Sequence, residues 1–216
     1  MGKCRFILVR HGQSEGNLRD EFLGHTDLPL TELGHKQAEC TAKYLEGYDI
    51  DVLYASDLKR AYMTAEHIAE HKQLSIIADT QFREVYAGKW EGLSFSTIYE
   101  KYRADFDVWL RDMGKARCTD GESVAELYAR VIGEVIRLSK LNEGQTVCIA
   151  THATPIKCVR LKALGYSVEN AKEIGWTSNA SVTIVDVDAD SGEFTMIEDG
   201  YDKHLAELRT ALPTNV

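Results

Sequence analysis

The chain has 216 residues, 44% of them apolar and 27% charged, with a formal net charge of −9. That length supports one substantial core, and the acid surplus argues against a broad nucleic-acid surface while leaving room for a local basic pocket. No run of about 18 apolar residues occurs, so no membrane-spanning helix is expected. Residues 4–9 read as a first strand, whose apolar run Phe6-Ile7-Leu8-Val9 ends in Arg10-His11-Gly12. Thr31, after Pro29, suits a helix N-cap, with Leu33, Ala38, Ala42 and Leu45 near helical spacing. Val52 to Ala55 reads as a second strand. Ser56 or Asp57 is expected to cap a helix that places Leu58, Ala61, Ala65 and Ile68 on one face. Leu74 to Ala78 reads as a third strand. Residues from about 79 to 121 break the rhythm and read as a cap-like insert of short helices and loops over the sheet. Val124, Leu127, Tyr128, Val131, Val135 and Leu138 mark an amphipathic helix, and Thr146 to Ala150 a fourth strand. Pro155 suits the first turn of a helix reaching about Leu164. Val182 to Val187 and Phe194 to Ile197 could pair across the turn near Asp190-Ser191-Gly192. The expectation is one α/β domain over residues 1–216: a three-layer α/β/α sandwich with a mostly parallel sheet and a mainly helical cap.

Four segments lie at or just after strand ends: Arg10-His11, Ser56 to Ala61 with Arg60, Phe82-Arg83-Glu84, and Thr151 to Pro155 with His152. Parallel strands would bring all four to one edge, where open α/β sheets bind ligands. A phosphoryl group would use this set well. Guanidinium forks bind phosphate oxygens bidentately, and a helix N-terminus offers free N–H groups. A neutral imidazole can attack phosphorus with its second nitrogen held by a carbonyl, and a carboxylic acid can protonate the leaving oxygen. These groups act without a metal.

The residues also carry a resemblance. Leu8-Val9-Arg10-His11-Gly12-Gln13-Ser14-Glu15-Gly16-Asn17, Asp27 to Gly34, Ala55 to Ala61 with Thr64-Ala65, Arg83-Glu84 with Gly88 to Gly92, Gly121-Glu122-Ser123 and Thr151-His152 follow one another in a known order. The chain resembles the histidine phosphatase superfamily, the phosphoglycerate mutase-like group. The resemblance implies that His11 becomes a phosphohistidine. Arg10, Arg60 and His152 would cradle the phosphoryl oxygens with help from Asn17, and Glu84 would protonate the leaving group and then activate water. Leu23, Gly24 and Ala153 would border the substrate. Two departures concern substrate choice. Thr151-His152-Ala153-Thr154 stands where the family commonly has Ser-His-Gly-Gly, so Ala153 would be strained if that position needs positive φ. Leu23 stands where many members have Gln.

The implied activity is metal-independent hydrolysis of small organic phosphomonoesters, with no cofactor. Alternatives are a 2,3-bisphosphoglycerate-dependent phosphoglycerate mutase, an α-ribazole-phosphate phosphatase, a phosphoprotein phosphatase, or a non-catalytic phosphate-binding module. Glu91 is the next candidate acid after Glu84. His25, His35, His67, His71 and His204 are assigned to packing or solvent. His67 and His71 are four apart, but without a third ligand nearby no metal site is expected. The odd cysteine count (Cys4, Cys40, Cys118, Cys148, Cys158) without Cys-x-x-Cys spacing points to reduced thiols, with Cys148 in the core. The start Met1-Gly2 leads into an apolar stretch too short for a signal-peptide core, and Phe6 breaks the myristoylation pattern. A cytoplasmic monomer or homodimer is expected, acting on a small phosphorylated molecule and not on nucleic acid or membrane.

Overall fold

A computed structural model of the chain describes residues 2–210. It begins with β1 (Lys3–Arg10), a one-turn helix α1 (Glu15–Leu18), a short strand β2 (Glu21–Phe22) and helix α2 (Glu32–Leu45). Then come β3 (Val52–Ala55), α3 (Lys59–Lys72), β4 (Ile76–Ala78), β5 (Leu93–Ser94), α4 (Phe95–Lys101), α5 (Arg103–Arg111) and the long α6 (Val124–Leu141). β6 (Thr146–Thr151), α7 (Ala153–Ala163), β7 (Val182–Asp188) and β8 (Phe194–Tyr201) follow.

Six strands form one sheet in the order β4-β3-β6-β1-β7-β8, parallel from β4 to β1 and antiparallel at β7 and β8. β1 lies inside this sheet, and its residues from Phe6 to Arg10 are all buried, as expected for a strand covered on both faces. Side-chain alternation divides the core. Phe6 and Leu8 join one cluster with Leu127, Val131 and Val159 of α6 and α7. Ile7 and Val9 join the other with Ala42, Ala65 and Ile68 of α2 and α3. The layers are therefore helix, sheet, helix, as the strand–helix alternation predicts. Cys148 sits in the core, and all five cysteines are free. Among the described residues, no helix is long and apolar enough to cross a membrane.

Two local expectations need correcting. Neither Ser56 nor Asp57 caps α3: its N-cap is Leu58, which makes no side-chain cap bond. Asp57 is taken by Arg83, through a hydrogen bond of 2.6 Å from Nε and a second, shorter one. The first turn is satisfied from a distant loop instead, by Asp27 Oδ1 accepting the Lys59 N–H at 2.7 Å. The third strand also starts at Ile76 rather than Leu74.

The segment between β4 and α6 holds β5, α4, α5 and single turns of 3-10 helix, matching the short helices and loops expected there. It packs through aromatic rings. Trp90 is fully buried, and Phe22 lies 5.6 Å from its ring and 5.2 Å from that of Trp109. The β2–β5 pairing ties this segment to the loop that follows His11.

Candidate active site

β1 and β6 end level, with Arg10 opposite Thr151, and β3 ends beside them with Ala55 opposite Ala150. The next residues of these strands, His11, His152 and Ser56, therefore meet at one edge. The rings of His11 and His152 lie 5.1 Å apart, edge to face. His11 Nδ1 is 2.7 Å from the Gly12 carbonyl, so Nδ1 carries the ring proton and Nε2 keeps its lone pair. The turn that allows this is crowded: a Cβ on Gly12 would come within 2.3 Å of the Gly34 carbonyl.

The cations are buried. Arg60, in the first turn of α3, donates to the carbonyls of Gly24 at 2.7 Å and Thr26 at 2.9 Å. Arg10 donates through one guanidinium nitrogen to the Thr177 carbonyl. Burial pulls both guanidinium groups down to about 10, against the attraction of the Glu84 carboxylate, and both remain cationic at neutral pH. Burial also holds His11 and His152 well below the ordinary histidine range; Arg60 and Arg10 push His11 the same way, as Arg60 and His11 do His152. Both imidazoles are neutral, which a nucleophile requires.

Two buried nitrogens in this cluster have no hydrogen-bond partner, Arg10 Nε and His152 Nδ1. His152 Nε2 is 2.8 Å from Ser56 Oγ, which itself accepts the Leu58 N–H at 3.3 Å. The Ser56 hydroxyl, accepting there, has its hydrogen free to give to Nε2, the arrangement in which Nδ1 is a donor. Unmatched buried donors are costly, and an anion between them would remove the cost.

Glu84 approaches from the loop after β4. Its carboxylate accepts the Val85 N–H at 2.8 Å and the Thr154 N–H at 3.2 Å, so it sits at the N-terminus of α7. A cleft of about 150 Å³ opens above these groups. Arg10, His11, Arg60 and Glu84 line its inner part, and Leu23, Gly24, Ala153 and Asn17 border it. The structure thus gathers every sequence-predicted site residue, His152 lying buried behind the lining. Ala153 opens α7 without left-handed backbone and is unstrained. Asn17 Oδ1 accepts from Ser14 at 3.1 and 3.0 Å and from Asn179 at 3.2 Å, which leaves its amide nitrogen for a ligand oxygen.

Glu91, the reserve acid, does not line the cleft. Its carboxylate accepts from the N–H groups of His25 (2.8 Å), Thr26 (2.7 Å) and Ala87 (2.9 Å) and from the Thr26 hydroxyl (2.6 Å). It therefore fixes the loop whose carbonyls hold Arg60. Gly24 in that loop has φ +51°, and a Cβ there would stand 2.4 Å from Glu91 Oε1. His67 and His71 share Glu39 with one another, at 3.3 and 3.2 Å, on the outer face between α2 and α3.

The cleft residues not foreseen include Asn179, Phe22, Phe95, Asp20 and Glu21. Asn179 donates to the His11 carbonyl at 3.1 Å. It precedes β7, which runs antiparallel, so the start of this strand lies at the edge where the parallel strands end. Attention to strand C-termini alone passes over it. The polar run Thr177-Ser178-Asn179 before an apolar strand was the available signal.

The fold and site define an α/β protein whose cleft at the sheet edge is lined by two buried arginines, a neutral histidine and a glutamate. The sequence profile of the histidine phosphatase superfamily (branch 1) matches residues 6–200, and the chain belongs to that superfamily and is a phosphatase. It is 36% identical over 181 residues to phosphoserine phosphatase 1 of Hydrogenobacter thermophilus, covering 84% of this chain and 85% of that protein. It is 30% identical to the glucosyl-3-phosphoglycerate phosphatase of Mycobacterium tuberculosis, covering 83% of each. Among solved structures, Bacillus stearothermophilus YhfR superposes with a TM-score of 0.88 at 28% identity, over 94% of this chain and 99% of that one.

Proposed function

We propose that the protein hydrolyses small organic phosphomonoesters through a phosphohistidine on His11. The observation that carries this reading is the pair of partnerless buried donors, Arg10 Nε and His152 Nδ1, beside the unprotonated His11 Nε2. In the first step Nε2 attacks phosphorus, the P–O bond to the leaving alcohol breaks, and Glu84 gives that oxygen its proton. Arg10, Arg60, His152 and the Asn17 amide carry the charge on the phosphoryl oxygens. In the second step Glu84 takes a proton from water, the water oxygen bonds to phosphorus, and the P–N bond breaks to release inorganic phosphate. Residues 79–121 act as a cap that supplies the outer wall.

The wall favours hydrolysis over transfer between two phosphorylated positions. Beyond Arg10 and Arg60, the cleft lining among the described residues holds no further cation, while Asp20 and Glu21 stand at it with the aromatic rings. Residues 211–216 add no cation either. A second phosphate would lack a partner. Quenching the enzyme in base decides the matter: with labelled p-nitrophenyl phosphate, base-stable, acid-labile label should appear on His11 and phosphate should be released, with or without EDTA. Tight phosphate binding without label would identify a binding module, and exchange between positions of phosphoglycerate would identify a mutase.

A further inference from the structure

Residues 174–179 cross the molecule as a strap between α7 and β7, and buried cations hold successive parts of it. Lys157 Nζ donates to the Ile174 carbonyl at 2.6 Å, and Arg160 donates to the Gly175 carbonyl at 2.5 Å. Arg10 holds the Thr177 carbonyl. Lys157 Nζ also lies 3.9 Å from the centroid of the Trp176 ring. Lys157 is 4% exposed and Arg160 8%. Neither lines the active-site cleft, but Trp176 does. Arg160 is itself fixed by Asp199 of β8, at 2.5 and 3.1 Å.

Surface lysines are free to move, but a lysine buried in a helix has no such freedom, and its desolvation must be matched by specific partners. Here the partners are a carbonyl and an indole face, both on the strap. Burial, with Arg160 adding to the effect, pulls the Lys157 ammonium down to about 8. The strap would be anchored equally well by an apolar helix face if only packing were needed. The cation adds direction, because its contact with the indole weakens steeply if the ring turns.

We infer that Lys157 is a positioning residue for substrate selection: with Arg160 it fixes Trp176 as one wall of the cleft, so that the leaving group of the substrate is read by an indole held from behind. The inference rests on the phosphatase reading of the site but concerns a different part of the substrate. Lys157 touches neither the phosphoryl group nor His11. Its loss should therefore act on the fit of the leaving group and leave phosphoryl binding intact. The strap also reaches the floor, through Arg10 at Thr177 and Asn179 at the His11 carbonyl, so any larger movement would register there too.

The test compares the Ki of inorganic phosphate, which reads the floor, with KM for 1-naphthyl phosphate, which reads the wall. Lys157→Met should raise the naphthyl KM roughly fivefold or more, with kcat and the phosphate Ki within about twofold of wild type, and Lys157→Arg should recover most of the loss. Trp176→Ala should raise the same KM, and adding Lys157→Met to it should change nothing more, since the cycle removes the shared contact. An unchanged naphthyl KM in a folded Lys157→Met protein overturns the inference. So do parallel losses in KM, kcat and phosphate Ki, or additive effects in the double variant. If Lys157→Met does not fold, the comparison of Lys157→Arg with Trp176→Ala decides: a raised naphthyl KM in Trp176→Ala with an unaltered Lys157→Arg supports the inference, and no change in Trp176→Ala refutes it. Wild type that binds phosphate but turns over no ester would instead defeat the phosphatase reading.

Discussion

The floor of the cleft and its wall are built from different parts of the chain. Arg10, His11 and His152 stand on or next to the last residues of central strands, where register fixes them: Arg10 opposite Thr151 and Ala55 opposite Ala150. The wall comes from outside the sheet, with Leu23 and Gly24 on a loop, Phe95 in α4, Trp109 in α5 and Trp176 on the strap. Moving a floor residue means breaking the sheet, whereas a wall residue can be exchanged without touching it. Reaction and substrate choice are therefore separable in this architecture, and mutations should sort accordingly.

The largest effect should come from the floor. His11→Ala should lower kcat by at least about a thousandfold, because the proposed mechanism passes the phosphoryl group through its Nε2. Its thermal midpoint should stay close to wild type, since truncating a strand-end imidazole leaves the sheet intact. Residual activity above a few per cent in steady-state assays would remove His11 from the mechanism. Next is Glu84→Gln, which keeps the shape of the side chain but has no proton to give. Loss should be about a hundredfold or more on an alkyl phosphate and much less on p-nitrophenyl phosphate, whose leaving oxygen needs no acid. Equal losses on both would mean that Glu84 only positions other groups.

Glu91 sharpens the contrast because it belongs to neither class. It holds residues 24–26, whose carbonyls hold Arg60, so its effect should pass through the floor without depending on the leaving group. Glu91→Ala should cost up to about a hundredfold in kcat/KM, alike on alkyl and aryl esters, as expected when a charge clamp is displaced by about an ångström. A leaving-group dependence like that of Glu84→Gln would restore Glu91 as a proton donor.

This division also explains what the sequence reveals. Arg10, His11, Arg60, Glu84 and His152 are legible because each follows an apolar strand or opens a helix, and parallel order brings such ends together. The alternation of strands and helices likewise gives the layers. What escapes are contacts made between distant segments. Asp27 capping α3, Asp57 drawn off by Arg83, and Phe22 and Phe95 reaching the cleft depend on three-dimensional placement that no local pattern encodes. Asn179 escapes for a topological reason, since it precedes an antiparallel strand.

The smallest effect is on stability and distinguishes floor from surface by pH. His11 and His152 are held neutral by burial and by the neighbouring cations, so their folded values lie below 6.5. Below that pH the unfolded chain binds protons that the folded chain refuses, and stability must fall as pH drops through 6.5. Each fully titrating group contributes about 1.4 kcal/mol per pH unit, so the pair contributes about 2.8. His204, lowered by burial, acts in the same direction, whereas His71, raised by its bond to Glu46, opposes it. Asp57, lowered by Arg83, contributes stability that is lost only at more acid pH. Urea unfolding in phosphate-free buffer between pH 7 and 5 should therefore show a steep acid loss in wild type. His11→Gln should remove close to half of the floor's share, because glutamine does not titrate. The same slope in both proteins would mean that folded His11 takes up its proton as the unfolded chain does, and that burial and the neighbouring cations do not hold it neutral.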